Sequence, residues 1–392
     1  MKGSLVQRGG SSWRLSVFVG IDEVTGRKRY AQKTFRGTKR EAQTELATMV
    51  SEVSQGRYAM PGSVSLAELL ERWMELKTHQ VGQTTHENYG FLVEHYIAPG
   101  IGKVKIGKLP AADLDRFYSR LLASGGEGGK PLSPRTVQMC HRVIRQALAQ
   151  GRKWSLVPVN VAEDATPPRL GYSEVHPPSP EQVQALLAAA MDYDPDFGTY
   201  LRVLAATGCR RGEAVALRWR DLTLDPEARR GEVSISHSIA KTSDGILEKD
   251  TKTHQSRRLV IDAGTVRVLC EHRKRCEERA SEAGTELTAD SFVFSSAVDA
   301  SVPWRPDVMT NRFIRLCQHN AITGVRLHDL RHYVATSLGA AGTPIATIST
   351  RLGHRDRATT LNIYSHSLPA LDAQAAEVIG RLLEPGESDG AR

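Results

Sequence analysis

The sequence is short of several features that would each have placed it in a definite class. No window approaches the ~18 apolar residues needed to span a membrane, and the start, MKGSLVQRGGSSWRL, has no apolar run of the kind that opens a secretory signal. No membrane partner is therefore expected, and a cytoplasmic location is. The five cysteines, at 140, 209, 270, 276 and 317, are odd in number and form no CxxC pair, which argues against a disulfide framework and against a thiolate zinc site. No internal repeat is visible. Acidic residues are outnumbered, with 44 Asp and Glu against 52 Lys and Arg, a net charge of +8 and a pI near 9.3. That balance tilts the expected partners towards polyanions such as nucleic acid.

What is present is ordinary globular material, 40% hydrophobic and 24% charged, with room in 392 residues for two or three domains. The charge is unevenly placed: residues 1–60 hold eleven Lys and Arg against five Asp and Glu. Within them WRLSVFVGIDEVTGRKRYAQKTF alternates apolar and polar residues around a turn-like DEVTG, as a hairpin does. A helix follows, with a capping box from Thr38 to Glu41. This sheet-plus-helix unit, residues 1–60, reads either as a DNA arm binder or as a solvated basic surface.

A helical block, residues 61–165, begins at SLAELLERWMELK, where Ser65 and Glu68 form another capping box and Leu66, Leu69, Leu70 and Trp73 line one face. Further helices are predicted over 84–95, 110–123 and 133–153. In the last, Ser133 caps, Pro134 takes the first helical position, and Val137, Cys140, Ile144, Ala147 and Leu148 form a buried stripe. Its other face carries Arg135, Gln138, Arg142, Arg145 and Arg152, a row that tracks phosphates or is simply the wet side of the helix. Proline-rich DATPPRLGYSEVHPPSPE then puts a boundary near residue 170. The third block, residues 175–392, is mostly helical, with strand-like GEVSISHSI and a second hairpin signal across GILEKDTKTHQSRRLVID. The fold class expected is a multidomain chain, mainly α with small antiparallel β-sheets.

Four segments of this third block put cationic or titratable groups where a core would not want them. In ATGCRRGEAVALRW, Gly208 and Gly212 bracket Arg210 and Arg211, so the backbone bends and guanidinium groups project from a helix start. Taken alone, that motif also reads as a surface salt-bridge cluster around Glu213. In DTKTHQSRR, Lys252 stands near the apex of the predicted hairpin. In LHDLRH, His328 and Arg331 share a helix face at the start of a buried helix. In GHRDRATTLNIYSH, one helix ends at Gly353 and Tyr364 follows His354 by ten residues. Two arginines, two histidines and a lysine together can neutralise a phosphodiester and the charge that builds on it during displacement. A tyrosine oxygen with an ordinary pKa of about 10 needs such surroundings before it attacks. No carboxylate cluster suited to Mg²⁺ accompanies them, so the chemistry reads as metal-free transesterification.

At these residues the sequence resembles the tyrosine recombinases, the phage-integrase-like site-specific recombinases. The resemblance covers about residues 175–385 and rests on TGCRRGE, TKTHQSRR, HDLRH, LGH and YSH in the family's order and at family-like intervals. The first two blocks look like the family's arm-binding and SAM-like core-binding domains. The resemblance implies that Tyr364 attacks the scissile phosphate, leaving a 3′-phosphotyrosyl link and a free 5′-hydroxyl. Arg210 and Arg331 would hold the non-bridging oxygens and Lys252 would protonate the leaving 5′-oxygen. His328 would act as acid/base or phosphate contact, His354 as a second histidine donor, and Glu213 would orient the site from behind. Because the bond energy is kept, neither ATP nor a metal nor another cofactor is implied. Arg135, Arg142, Arg145 and Arg211 would face DNA.

The implied partners are double-stranded attachment sites, three further copies of the chain in a tetramer on two duplexes, and an accessory DNA-bending or excision factor. The implied task is integrating or excising a phage or other mobile element. Departures are few: Cys209 stands where the family often has a larger aliphatic residue, and Tyr333 where threonine is common. After the nucleophile, Leu371, Ala375, Val378, Ile379 and Leu382 share one helical face, which would fold back on its own domain or dock on a neighbouring protomer. The rival readings are a type IB topoisomerase-like relaxing enzyme and a non-catalytic DNA-binding regulator on the same fold. The basic amino-terminal module argues against the first and the intact residue set against the second.

Overall fold

The computed structural model describes residues 3–21, 26, 28–54, 64–171, 177–250 and 256–353. The chain divides into two compact units, Met1–Tyr172 and Ser173–Arg392.

The first unit opens with an antiparallel meander of β1 (Gly3–Gly9), β2 (Ser12–Ile21) and β3 (Lys28–Arg36). The period-two pattern of WRLSVFV decides which face is covered. Trp13, Leu15 and Val17 pack with Ala31 against Ala42, Met49 and Val53 of α1 (Lys39–Ser54). Arg14 and the edge-to-face pair Phe18 and Tyr30 alternate with them and fall on the opposite face. The expected capping box is formed, with the Thr38 N–H donating to Glu41 Oε2 at 2.8 Å.

A helical core follows, built from α2 (Leu66–Lys77), α3 (Gln83–Leu92), the short α4 (Ala98–Ile101), α5 (Ala111–Ser124) and α6 (Pro134–Lys153). The helix expected over 84–95 runs on through a π-helical turn, Val93–Ile97, which no periodicity signals. Leu66, Leu69, Leu70 and Trp73 of α2 bury against Phe117 of α5 and against Val137, Cys140, Ile144 and Leu148 of α6. Ser133 caps α6 through the Thr136 N–H at 3.2 Å.

In the second unit, α7 (Pro180–Tyr193), α8 (Pro195–Thr207) and α9 (Arg211–Val215) precede five strands. These are β4 (Leu222–Asp225), β5 (Arg230–Ile235), β6 (His237–Thr242), β7 (Gly245–Asp250) and β8 (Arg257–Ile261). Four further helices follow among the described residues: α10 (Ala263–Glu282), α11 (Pro306–His319), α12 (Asp329–Ala340) and α13 (Ile345–Leu352).

The hairpin expected across 245–262 is not formed. β7 pairs with β6, while β8 pairs with β5 in a separate sheet of order β4-β5-β8. The cause is local on one side and tertiary on the other. Thr242 and Gly245 pair across the two-residue loop Ser243–Asp244, with Gly245 just after it at φ +125°, so β7 folds straight back on β6. β8 instead follows its apolar face, Leu259 and Ile261, which packs beside Val233 and Ile235 in the helical core.

An ionic cluster around the buried pair Asp196 and His272 pins α8 to α10. Asp196 accepts from His272 Nδ1 at 2.9 Å and from Arg275 Nε at 3.0 Å, and also pairs with Arg279. His272 Nε2 donates to the Val293 carbonyl at 2.7 Å, so both ring nitrogens face acceptors and the imidazolium form fits. Burial alone would lower the His272 pKa; the Asp196 hydrogen bond and the nearby Cys276 outweigh it and raise the group to about 9.

A folded-state pKa above the unfolded one means that the stabilisation is complete below about pH 6.5 and is lost as pH rises towards 9. Urea unfolding should therefore show a wild-type advantage over His272→Gln that shrinks by on the order of 2 kcal/mol between pH 6 and 9.5. A flat difference would mean that the ring is not held as the cation.

Candidate active site

Four helix ends meet to form the site. α8 stops at Gly208, whose φ of +66° makes it a left-handed C-cap. A Cβ there would lie 2.5 Å from Leu352 Cδ2, so both conformation and space require glycine. The chain turns at once into α9, with Arg210 as its N-cap residue. α12 begins just after His328, and Arg331 in its first turn donates from Nη1 to the Gly208 carbonyl at 2.7 Å. α13 ends at Gly353, also at φ +66°, whose carbonyl accepts from Arg210 Nη2 at 3.3 Å.

Glu213 ties these ends together from inside. It is 1% exposed, accepts from the Arg210 backbone N–H at 2.9 Å and from Arg210 Nη1 at 2.8 Å, and accepts from Arg257 Nη2 at 2.6 Å. Arg257 Nε donates in turn to the Arg351 carbonyl at 3.0 Å. The salt-bridge reading of TGCRRGE is thus realised, but in the interior rather than on the surface. Burial alone would raise the Glu213 pKa; the hydrogen bond from Arg257 outweighs it and holds the carboxyl below its usual range. The buried Cys209 thiol is pushed up to about 11, chiefly by burial and next by Glu213, so it stays protonated and inert near neutral pH.

Arg210 and Arg257 pair with this single carboxylate, and Arg331 lies close enough to feel its charge. Arg257 Nη1 and Arg331 Nη2 are buried without a hydrogen-bond partner among the described residues. Donors held in this way carry a cost that a bound anion removes. Burial, and next the neighbouring Arg210, lower the Arg331 pKa to about 9, which leaves the guanidinium charged at pH 7.

Arg210, Arg211, His328 and Arg331 line an open cleft of about 550 Å³ whose apolar wall includes Leu204 and Ile314. The surrounding protein, and next His332 and Arg331, hold the His328 pKa below the ordinary imidazole value, so it is neutral at pH 7 although its edge is open to solvent. Its ring stands edge-to-face with His332, centroids 5.0 Å apart.

Of the residues expected from sequence, Arg210, Glu213, His328 and Arg331 are brought together. Arg211 lies exposed on the rim, with Nη1 donating to Thr310 Oγ1 at 2.6 Å. Arg135, Arg142 and Arg145 are exposed on α6 of the first unit. Lys252, His354 and Tyr364, with the apolar stripe from Leu371 to Leu382, fall outside the described residues. Sequence reasoning passed over Arg257 and His332. The signal for Arg257 was available, because strand alternation puts it on the same face as Leu259 and Ile261, an arginine at an inward position. Nothing comparable marks His332.

A site with this surplus of fixed donors belongs to proteins that handle oxyanions, and comparison with known proteins narrows the class. The model of the phage integrase family matches residues 179–370, and that of the phage integrase N-terminal SAM-like domain matches residues 65–122. The ICEBs1 integrase of Bacillus subtilis is 23% identical over 372 residues, covering 95% of this chain and 97% of the relative. Among solved structures, the Tn1549 transposon integrase in complex with a circular intermediate DNA superposes with a TM-score of 0.65 at 19% identity, over 80% of this chain and all of that one.

Lambda integrase was solved as a dimer bound to a COC′ core site (TM-score 0.53, 13% identity, 92% of this chain and 93% of that one). It was also solved as a tetramer bound to a Holliday junction (TM-score 0.54, 15% identity, 92% and 94%). These structural likenesses establish the fold.

The chain belongs to the phage integrase family of tyrosine recombinases. It is a site-specific DNA strand-exchange enzyme, an integrase of mobile elements, with a SAM-like domain ahead of its catalytic domain. Among the described residues no helix is long and apolar enough to cross a membrane.

Proposed function

We propose that this enzyme opens a phosphodiester with the Tyr364 oxygen and holds the reacting phosphate against Arg210 and Arg331. The observation that carries the reading is Arg331, buried with its Nη2 left without a hydrogen-bond partner among the described residues, beside Arg210 on the wall of a cleft. Attack by Tyr364 forms the 3′-phosphotyrosyl bond and breaks the bond to the 5′-oxygen, which takes its proton from Lys252. Reversal by another strand's 5′-hydroxyl rejoins the DNA. His328, neutral at pH 7, takes the proton that the Tyr364 hydroxyl loses as it attacks, or contacts the phosphate through its N–H, and His354 adds a second imidazole. Glu213 holds Arg210 and does not react.

On this reading residues 1–60 bind arm-type DNA through the sheet face that carries Arg14, residues 61–165 grip the core site with Arg135, Arg142 and Arg145, and Arg211 adds a contact beside the catalytic cleft of residues 175–392. Four copies act on two duplexes in the cytoplasm, integrating or excising a mobile element with help from an accessory DNA-bending or excision factor. The tail stripe from Leu371 to Leu382 docks on a neighbouring copy. No metal or other cofactor takes part.

The direct test is to trap the full chain on a nicked attachment-site duplex, digest both components and identify the adduct by mass spectrometry. The expected product is the peptide containing Tyr364 joined to a nucleotide through its 3′-phosphate. An adduct on any other side chain would overturn the assignment.

A further inference from the structure

We propose that Arg257 is a positioning residue for strand cleavage: it couples the phosphate-facing Arg210 to the end of α13, and so fixes where the chain beyond Gly353 departs relative to the phosphate. This rests on the reading that Tyr364, eleven residues beyond Gly353, is the nucleophile. Arg257 is 8% exposed and lies behind the cleft rather than on the wall formed by Arg210 and Arg331. Its fork spans α9 and the end of α13, with Nη2 on Glu213 and Nε on the Arg351 carbonyl.

Two residues on, the Gly353 carbonyl accepts from Arg210 Nη2, and Arg210 Nη1 returns to Glu213. The four bonds close a ring through α9, β8 and the end of α13. Gly353 is part of the same packing, because a Cβ there would sit 2.8 Å from Arg257 Nη1 and 3.0 Å from its Cζ.

Opening the ring at Arg257 leaves Arg210 with both of its Glu213 bonds, so the grip on phosphate survives. What is lost is the 3.0 Å link from the Glu213 network to the Arg351 carbonyl. The 3.3 Å bond from Arg210 to the Gly353 carbonyl and the bonds from Arg351 Nη2 to the Ala206 and Val260 carbonyls hold the end of α13 but do not tie it to β8 through the Glu213 carboxylate. A nucleophile delivered by that segment then arrives less well placed, and a displacement of about 1 Å is enough to cost roughly 10²-fold in rate. Lysine, with one donor group in place of a fork, reaches one acceptor at a time.

The test uses the full chain in single-turnover covalent capture, with duplex affinity measured separately and folding checked by thermal melting. Arg257→Met is expected to slow capture about 30- to 100-fold with affinity within about twofold of wild type, and Arg257→Lys to slow it about tenfold. If Arg257→Met does not fold, Arg257→Lys together with Gly353→Ala, which crowds the same guanidinium, carries the test.

The deciding arm is a substrate whose 5′-bridging oxygen is replaced by sulfur, a leaving group that needs no proton. The Lys252→Ala defect should be relieved on it and the Arg257 defect should persist undiminished. Relief of the Arg257 defect would place its action on the leaving-group side and overturn the proposal, as would unchanged capture by both Arg257 variants. Tyr364→Phe serves as the separate control: capture by that variant would refute the nucleophile assignment whatever Arg257 does.

Discussion

Tyr364→Phe should bind attachment-site duplex within about twofold of wild type and lose covalent capture by at least ~10³-fold. The substitution removes one oxygen and keeps the ring, so a loss confined to chemistry points to that atom. The rest of the site makes so large an effect expected. Arg210 and Arg331 are placed by helix ends and by Glu213 before any substrate arrives, and fixed charge of this kind acts on the phosphate without reorganisation. The cations therefore stay in place in the variant, and only the attacking group is missing. Capture retained above about 1% would move the role to another hydroxyl, and Tyr333, two residues after Arg331 on α12, would be the next to replace.

Glu213→Ala should destabilise the second unit by about 3–5 kcal/mol, because it strands the buried Arg257 charge and frees Arg210. Glu213→Gln keeps the shape and one acceptor oxygen and should cost less. The two substitutions also predict a pH signature. The folded Glu213 carboxyl titrates below its unfolded value, so its contribution is complete above roughly pH 4.3 and disappears as pH falls through the lower folded pKa. The wild-type advantage over Glu213→Gln in urea unfolding should accordingly shrink between pH 5 and 3. An alanine variant within about 1 kcal/mol of wild type at pH 7 would show that the buried pair is not what holds these helix ends together.

The parts that were legible in sequence are those whose causes lie within a few residues. The capping boxes at Thr38 and Ser65, the proline at the start of α6 and the alternation of β2 are local arrangements, and each forms as hydrogen bonds and burial dictate. Gly208 and Gly353 were legible for the same reason, since each ends a helix in a backbone conformation that glycine tolerates best. The pairing of β7 and β8 was not, because two adjacent strand-like runs read as a hairpin unless one knows that Thr242 has already paired with Gly245 and that β5 offers Leu259 a buried neighbour. The π-helical turn at Val93–Ile97 likewise has no periodic signature.

Sequence by itself determined which side chains are available for phosphoryl chemistry and roughly where each lies on its element: Arg210 at a helix start, His328 and Arg331 one turn apart, Gly353 at a helix end. It also made the helices, because capping and amphipathic spacing act over one or two turns. Only the tertiary structure decided that Glu213 is buried, that Arg257 from a distant strand is its second partner, and that both arginines reach the same end of α13. Those contacts join residues 44 to 143 positions apart. No short-range rule specifies them, because the partner of a buried charge is set by which elements the apolar core brings together.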